Sequence, residues 1–177
     1  PEEKKLGVRG SSTTAIILED ARVPVENVLG EVGKGHKIAF NVLNLGRFKL
    51  GALGTGIAKE AFAEGAKYAN TRRQFGVPIA TFGAIREKIA DGVADIFRAE
   101  SIVYRVAGLL DRRLASVEKG IPNYYGAYQK GIEEYAVECA IAKVYCSEAV
   151  GRIADEALQI HGGYGCIQGY PVERFYR

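Results

Sequence analysis

Apolar residues recur every three or four positions over most of the chain, which is the spacing of one helix face. In the first such stretch, Ile38, Val42 and Leu45 begin a series that continues to Phe62 without a proline. The pattern predicts a long helix from Gly33 to about Arg73. Several glycines in this stretch would each destabilise the helix by up to about 1 kcal/mol relative to alanine. We therefore expect these glycines to mark points where another backbone or a flat ligand approaches closely.

Two more helices are predicted in the same way. The second runs from Thr81 to Val117, with Thr81 as its N-cap. A loop that contains Gly120 and Pro122 ends it, and the third helix runs from Tyr124 to about His161.

The order of elements predicts a mainly α fold. Three long amphipathic helices in succession indicate an up-down four-helix bundle, because each apolar stripe must be buried against another helix. A new helix begins near Pro171, so we expect the bundle to be incomplete within this chain, with a fourth helix missing or supplied by a partner. Before the first helix, residues 11–18 and 22–25 have the composition of short extended segments, which predicts a short β region.

Composition excludes several classes of protein. The 177 residues are 47% hydrophobic and 25% charged, as in ordinary globular domains. A net charge of +3 is too small for a dedicated nucleic-acid binder. Three cysteines without a CxxC pair, and only two histidines, argue against a metal site. No apolar run reaches the length of a membrane span.

Cys139 and Cys146 lie seven positions apart in a helical pattern. That spacing separates their backbones too far for a disulfide and instead places both side chains on one buried stripe.

Two segments contain residues that could bind a ligand. The first ends the first predicted helix with Arg72 and Arg73, followed by Gln74 and Phe75. The helix dipole accounts for one arginine, whereas two arginines with an amide and an aromatic ring would suit a diphosphate beside a flat ring system.

The second segment is Gln159–Gly165, in which three glycines follow a helix that needs only one for its cap. The extra glycines indicate that another group lies in close contact with this backbone. For His161, a position near the negative end of the helix dipole and a ligand-binding role are about equally plausible.

These two segments, together with Tyr170–Arg174, resemble the acyl-CoA dehydrogenases. The similarity extends along the whole chain in order and is greatest to bacterial members akin to the very-long-chain branch. It implies that residues 1–31 are the end of a middle β domain. Residues 32–177 would then be a C-terminal helical-bundle domain that lacks its last helices.

The resemblance implies a function in fatty-acid β-oxidation. Its members oxidise acyl-CoA to trans-2-enoyl-CoA with FAD, pass electrons to an electron-transfer flavoprotein, and form homodimers or homotetramers. They act in the cytoplasm of bacteria or in the mitochondrial matrix. The residues that the resemblance assigns to the cofactor are Arg72, Gln74, Phe75, Phe82, Gln159, Ile160, His161, Gly162 and Gly163. It assigns Asn44 and Arg47 to the acyl-CoA substrate, and an ion pair within the protein is an equally good explanation of Arg47.

No catalytic residue is predicted within the chain. Most members carry the catalytic glutamate in a Phe-Glu-Gly-Thr motif after the segment similar to Tyr170–Arg174, which would place it beyond Arg177. A minority carry it immediately before the arginine that matches Arg47, where this chain has Gly46. We therefore expect this chain alone to be inactive. The alternatives are a flavin acyl-CoA oxidase or nitroalkane-type oxidase on the same fold, and a non-catalytic helical assembly module.

Overall fold

A computed structural model describes all residues, 1–177, as a mainly helical fold. Its helices are α1 (Gly35–Thr71), α2 (Gly83–Ala115), α3 (Tyr124–Glu133), α4 (Ala136–His161) and α5 (Val172–Tyr176). Strands β1 (Arg73–Gln74) and β2 (Val77–Pro78) form an antiparallel hairpin between α1 and α2. The mainly α prediction is confirmed, and none of these helices has the length and apolar character of a bilayer-crossing segment.

Small residues hold α1 and α4 in close contact. A methyl group added at Gly51 would lie 3.1 Å from the Ala142 carbonyl oxygen, and one added at Gly65 would lie 3.4 Å from Ala157. These pairs rise together in residue number, so the two helices run parallel. Several side chains along this contact are fully buried: Ala58, Ala61, Ala69, Cys139, Cys146 and Ala149. The predicted close contacts of the glycines are therefore confirmed at Gly51 and Gly65, and so is the buried stripe of the two cysteines.

Helix α2 runs antiparallel to both partners, which gives the up-down-up order expected of the bundle. Lys88 pairs with Glu156 near the start of α2, whereas the Ala99 carbonyl, halfway along α2, accepts a bond from the Cys146 thiol at 3.9 Å. Between these contacts, Asp95 accepts bonds from Arg152 Nε at 2.9 Å and from the Tyr145 hydroxyl at 3.2 Å. Asp95 therefore joins α2 to α4.

Three expectations about the elements need correction. The third helix is two helices, because the chain leaves helical geometry at Tyr135, where φ is −105°. This break lets α3 contact both α1 and α2: the Gln129 carbonyl accepts a hydrogen bond from the Asn41 side chain, and Glu134 pairs with Arg113. Tertiary contacts thus override a continuous sequence period. Thr81 does not cap α2, because its hydroxyl donates to the Pro78 carbonyl and Phe82 occupies the cap position.

The predicted β region is the third correction. Residues 11–18 and 22–25 form no strand, and only a single turn of 3-10 helix, Val25–Asn27, follows them. Ile16, Ile17 and Leu18 are 77–87% exposed. A strand requires a ladder of hydrogen bonds to a neighbouring strand. The Glu3 N–H donates to the Thr13 carbonyl at 3.0 Å, but no ladder continues from this bond.

We predict that Asp95→Asn lowers the free energy of unfolding by about 1–2 kcal/mol at pH 7, because it removes charge-assisted hydrogen bonds between α2 and α4. The hydrogen bond from Arg152 holds the pKa of Asp95 below its ordinary value, against an opposing effect of burial. The stabilisation is therefore complete above the ordinary aspartate range near pH 4 and disappears as the pH falls through the lowered pKa. Urea unfolding at pH 7 and below pH 3 measures it. Asp111→Asn, at an exposed position of α2, is the matched control, and an equal loss in both variants would refute the prediction.

Candidate functional site

The parallel packing of α1 and α4 brings their C-terminal ends side by side. Between these ends is a cavity of about 510 Å³, within the usual size range of ligand sites. The residues that line it are Tyr68, Arg72, Gln74, Ile79, Ile160, His161, Gly162, Gly163, Tyr164 and Ile167. The two segments singled out from the sequence therefore meet in one place.

The two adjacent arginines have different environments. Arg73 donates to the Gly76 carbonyl at 2.6 Å and thereby closes the β1–β2 hairpin. Arg72 lines the cavity, with its guanidinium carbon 5.6 Å from the centre of the Tyr164 ring and no carboxylate paired to it. Because both helices end here with their partly negative carbonyl groups, an anion could bind only if a cation compensates them. Arg72 provides that charge.

The three glycines after α4 serve different purposes. Gly162 caps the helix with φ +58° and ψ −136°, a conformation available essentially only to glycine. A methyl group at Gly165 would lie 2.6 Å from the Leu158 carbonyl oxygen, so this glycine is required by the chain's own packing. Gly163 has neither constraint, because its φ is not positive and nothing lies within 4 Å of an added methyl group. Gly163 therefore leaves backbone open to a ligand.

His161 lies beneath this backbone and is only 4% exposed. Its Nδ1 lies 2.8 Å from the Ala157 carbonyl oxygen and must therefore carry the proton that it donates there. The imidazole stacks on Tyr68 with ring centres 4.1 Å apart, and Tyr170 meets it edge-on at 5.9 Å. The structure thus gives His161 a packing role that the sequence alone did not indicate.

Phe75 and Phe82 lie beside the cavity rather than in its wall. Phe75 and Gly76 form the two-residue turn of the hairpin, both with positive φ (+52° and +83°). Such turns favour Asn, Asp or Gly at the first position, so a phenylalanine there is strained. Phe75 is also 92% exposed and meets the Phe82 ring edge-on at 6.1 Å. A strained and exposed aromatic ring makes Phe75 a candidate for contact with a ligand or partner.

Gln159 does not line the same cavity. It faces an adjoining open depression that shares Gly162 and Gly163 with the cavity. The glycine pair therefore separates the side chain of Gln159 from that of Arg72.

Asn44 and Arg47 lie toward the other end of α1, about 42 Å and about 38 Å from Arg72 at 1.5 Å per residue. Arg47 donates to the Asn44 side-chain oxygen at 2.7 Å, and Asn44 is buried. The ion pair considered for Arg47 is not formed. Burial raises the pKa of the neighbouring Cys139 thiol, Glu138 adds to this shift, and the charge of Arg47 opposes it.

Four residues of the cavity were not predicted: Tyr68, Ile79, Tyr164 and Ile167. Tyr68 and Tyr164 lie within or beside the two segments already identified, but an aromatic residue next to a helix end has no specific sequence signal. Ile79 and Ile167 look like ordinary core residues in the sequence.

The chain is similar to known proteins over almost its whole length. Residues 33–177 match the family model of the acyl-CoA dehydrogenase C-terminal domain. A probable acyl-CoA dehydrogenase of Bacillus subtilis is 50% identical over 178 residues, which is 100% of this chain and 30% of the relative. A subunit of the caffeyl-CoA reductase–Etf complex of Acetobacterium woodii is 40% identical over 99% of this chain and 41% of its own length.

Among solved structures, the acyl-CoA dehydrogenase from Bacillus anthracis, complexed with FAD, superposes with a TM-score of 0.95. It is 50% identical and matches 99% of this chain and 30% of its own. The chain thus spans less than half the length of these relatives. The family match covers α1 through α5 and the residues that line the cavity, and we conclude that the chain belongs to the acyl-CoA dehydrogenase family, whose C-terminal domain residues 33–177 match.

Proposed function

We propose that this domain holds part of an FAD molecule in a protein that oxidises acyl-CoA to trans-2-enoyl-CoA in fatty-acid β-oxidation. The observation that carries the proposal is an arginine without a carboxylate partner, Arg72, beside the open backbone of Gly163 in one cavity. The FAD bound by the Bacillus anthracis relative agrees with it. When bound, FAD supplies the acceptor for the hydride that leaves the acyl β-carbon.

The residues present fit a flavin dinucleotide. A diphosphate needs a cation and N–H donors, which Arg72, the Gln74 amide and the backbone near Gly163 offer. The aromatic ring of Phe75 projects from the hairpin, where it can contact a flat ring system. Phe82 supports Phe75, and Gln159 would reach the cofactor from the other side of the glycine pair. Ile160 and His161 form the floor beneath that pair.

The remaining parts of the proposal concern substrate and partners. Asn44 and Arg47 would bind the acyl-CoA at the opposite end of α1, where Asn44 fixes the direction of the Arg47 guanidinium. We assign the proton abstraction to no residue of this chain. Electrons would pass to an electron-transfer flavoprotein, as the Etf complex of the Acetobacterium relative suggests.

Assembly and domain division belong to the same proposal. A homodimer or homotetramer would cover exposed apolar side chains of α1 and α4 such as Leu50, Ile141 and Val144. Residues 1–31 would belong to a preceding middle β domain, which would supply neighbours for their exposed apolar side chains. The protein would act in the bacterial cytoplasm, or in the mitochondrial matrix of a eukaryote.

We predict that Arg72→Ala weakens FAD binding by about 10- to 100-fold. The range corresponds to the loss of charge-assisted hydrogen bonds that contribute about 1.5–3 kcal/mol. The measurement is titration of the intact apoprotein with FAD, followed by flavin fluorescence. Arg105→Ala, at an exposed position of α2, is the control and should bind FAD normally. Equal affinities of the two variants would reject this site and favour the helical assembly module.

A further inference from the structure

The Arg72 guanidinium is held by an aromatic ring instead of a carboxylate. It lies over Tyr164, 5.6 Å from the ring centre and within the range of a cation–π contact. A carboxylate partner would occupy the N–H groups at the edge of the guanidinium. A ring uses its face and leaves those N–H groups free for phosphate oxygens.

Tyr164 is itself held by a series of aromatic rings. Tyr170 packs against it with ring centres 5.1 Å apart, and Tyr170 also meets the edges of the His161 and Tyr68 rings. His161 is anchored to α4 through the Ala157 carbonyl. The rings therefore connect the end of α4 to Arg72, whose own backbone N–H bonds to the Tyr68 carbonyl at 2.8 Å.

We propose that Tyr164 is a positioning residue that holds the Arg72 guanidinium toward the cavity, with Tyr170 and His161 fixing the ring. This inference rests on the proposed function, because it assumes that Arg72 binds the anionic part of FAD. An arginine already held in its binding orientation loses less side-chain entropy when the ligand arrives. The effect belongs to binding of FAD and not to the reaction itself.

The test is a double-mutant cycle in the intact protein, with FAD affinity of the apoprotein as one measurement and the thermal midpoint as another. Tyr164→Leu should weaken FAD binding about fivefold, the size of a partly exposed cation–π contact. Tyr164→Phe keeps the ring face and should bind within twofold of the wild type. In an Arg72→Gln background, Tyr164→Leu should have no further effect. Tyr104→Leu, at an exposed tyrosine of α2, is the matched control.

The outcomes separate the two hypotheses. If Arg72→Gln does not weaken FAD binding, the proposed function is wrong and this inference falls with it. If Arg72→Gln weakens FAD binding but Tyr164→Leu does not, only the role of Tyr164 is refuted. The same holds if Tyr164→Leu weakens FAD binding equally in the wild type and in the Arg72→Gln background. A Phe variant as weak as the Leu variant would refute it as well. Should Tyr164→Leu fail to fold, Tyr164→Met removes the ring with less loss of apolar contact and takes its place.

Discussion

Ala61→Leu should lower the free energy of unfolding by about 3 kcal/mol, the upper part of the range for overpacked cores. Ala61 is fully buried where α1 contacts α4, and Ile153 of α4 packs in the same cluster. The backbones of the two helices approach so closely at Gly51 and Gly65 that they leave no space for three extra carbon atoms. The parallel pair would have to move apart along its length. Urea unfolding monitored by circular dichroism measures the change.

The matched control lies two positions further along the same helix. Ala63 is exposed, so Ala63→Leu adds the same three carbons to solvent and should change stability by less than about 0.5 kcal/mol. The helix propensities of alanine and leucine are close, so the difference between the variants reports on packing. If both variants were equally stable, the contact between α1 and α4 would not be as tight as described.

Gly163→Ala and Gly165→Ala should change the protein in opposite ways. At Gly163 no atom of the chain lies within 4 Å of the added methyl group. The substitution should raise the free energy of unfolding by up to about 1 kcal/mol, because alanine lowers the conformational entropy of the unfolded chain. FAD binding should nevertheless fall at least about tenfold, because the methyl group projects from backbone that we propose lies against the cofactor. At Gly165 the methyl group would meet the Leu158 carbonyl, so stability should fall by about 2–3 kcal/mol.

Thermal unfolding of the apoprotein and FAD titration, made on the same preparations, separate the two effects. The Gly163 variant should bind FAD more weakly without a loss of thermal stability. The Gly165 variant should show a lowered thermal midpoint of the apoprotein as its main change. If Gly163→Ala bound FAD as well as the wild type, the open backbone would not be the cofactor contact. A Gly165→Ala variant of normal stability would contradict the described approach of Leu158.

The sequence predicted the helices whose positions depend on the local spacing of apolar residues. It located α1 and α2 to within two residues, because their apolar periods are long and proline-free. It did not locate the break at Tyr135, since the helical period continues through it and only contacts of α3 with other helices explain the turn. The prediction of strands at residues 11–18 and 22–25 was wrong, because strand formation depends on a pairing partner and not on composition alone.

The candidate site shows the same limit. Both of its segments were identified from an excess of arginine and glycine over what a helix end requires. The sequence did not reveal which arginine closes the hairpin, which glycine the fold itself requires, or that His161 is buried under the cavity. The first two distinctions depend on local backbone geometry that the sequence does not specify. The burial of His161 against Tyr68 depends on the parallel approach of α1 and α4, which follows from small residues many positions apart.

Helix α1 extends without interruption from Gly35 to Thr71, and Asn44 and Arg72 lie toward its two ends. A continuous helix keeps a fixed rise per residue, and the small residues that lock it to α4 leave little room for sliding. The helix thus fixes the distance and the relative orientation of the proposed acyl-CoA and FAD positions. An insertion or deletion of one residue within it would rotate one end by about 100° relative to the other. Such a change in the length of α1 would misalign the two binding positions unless both positions changed with it.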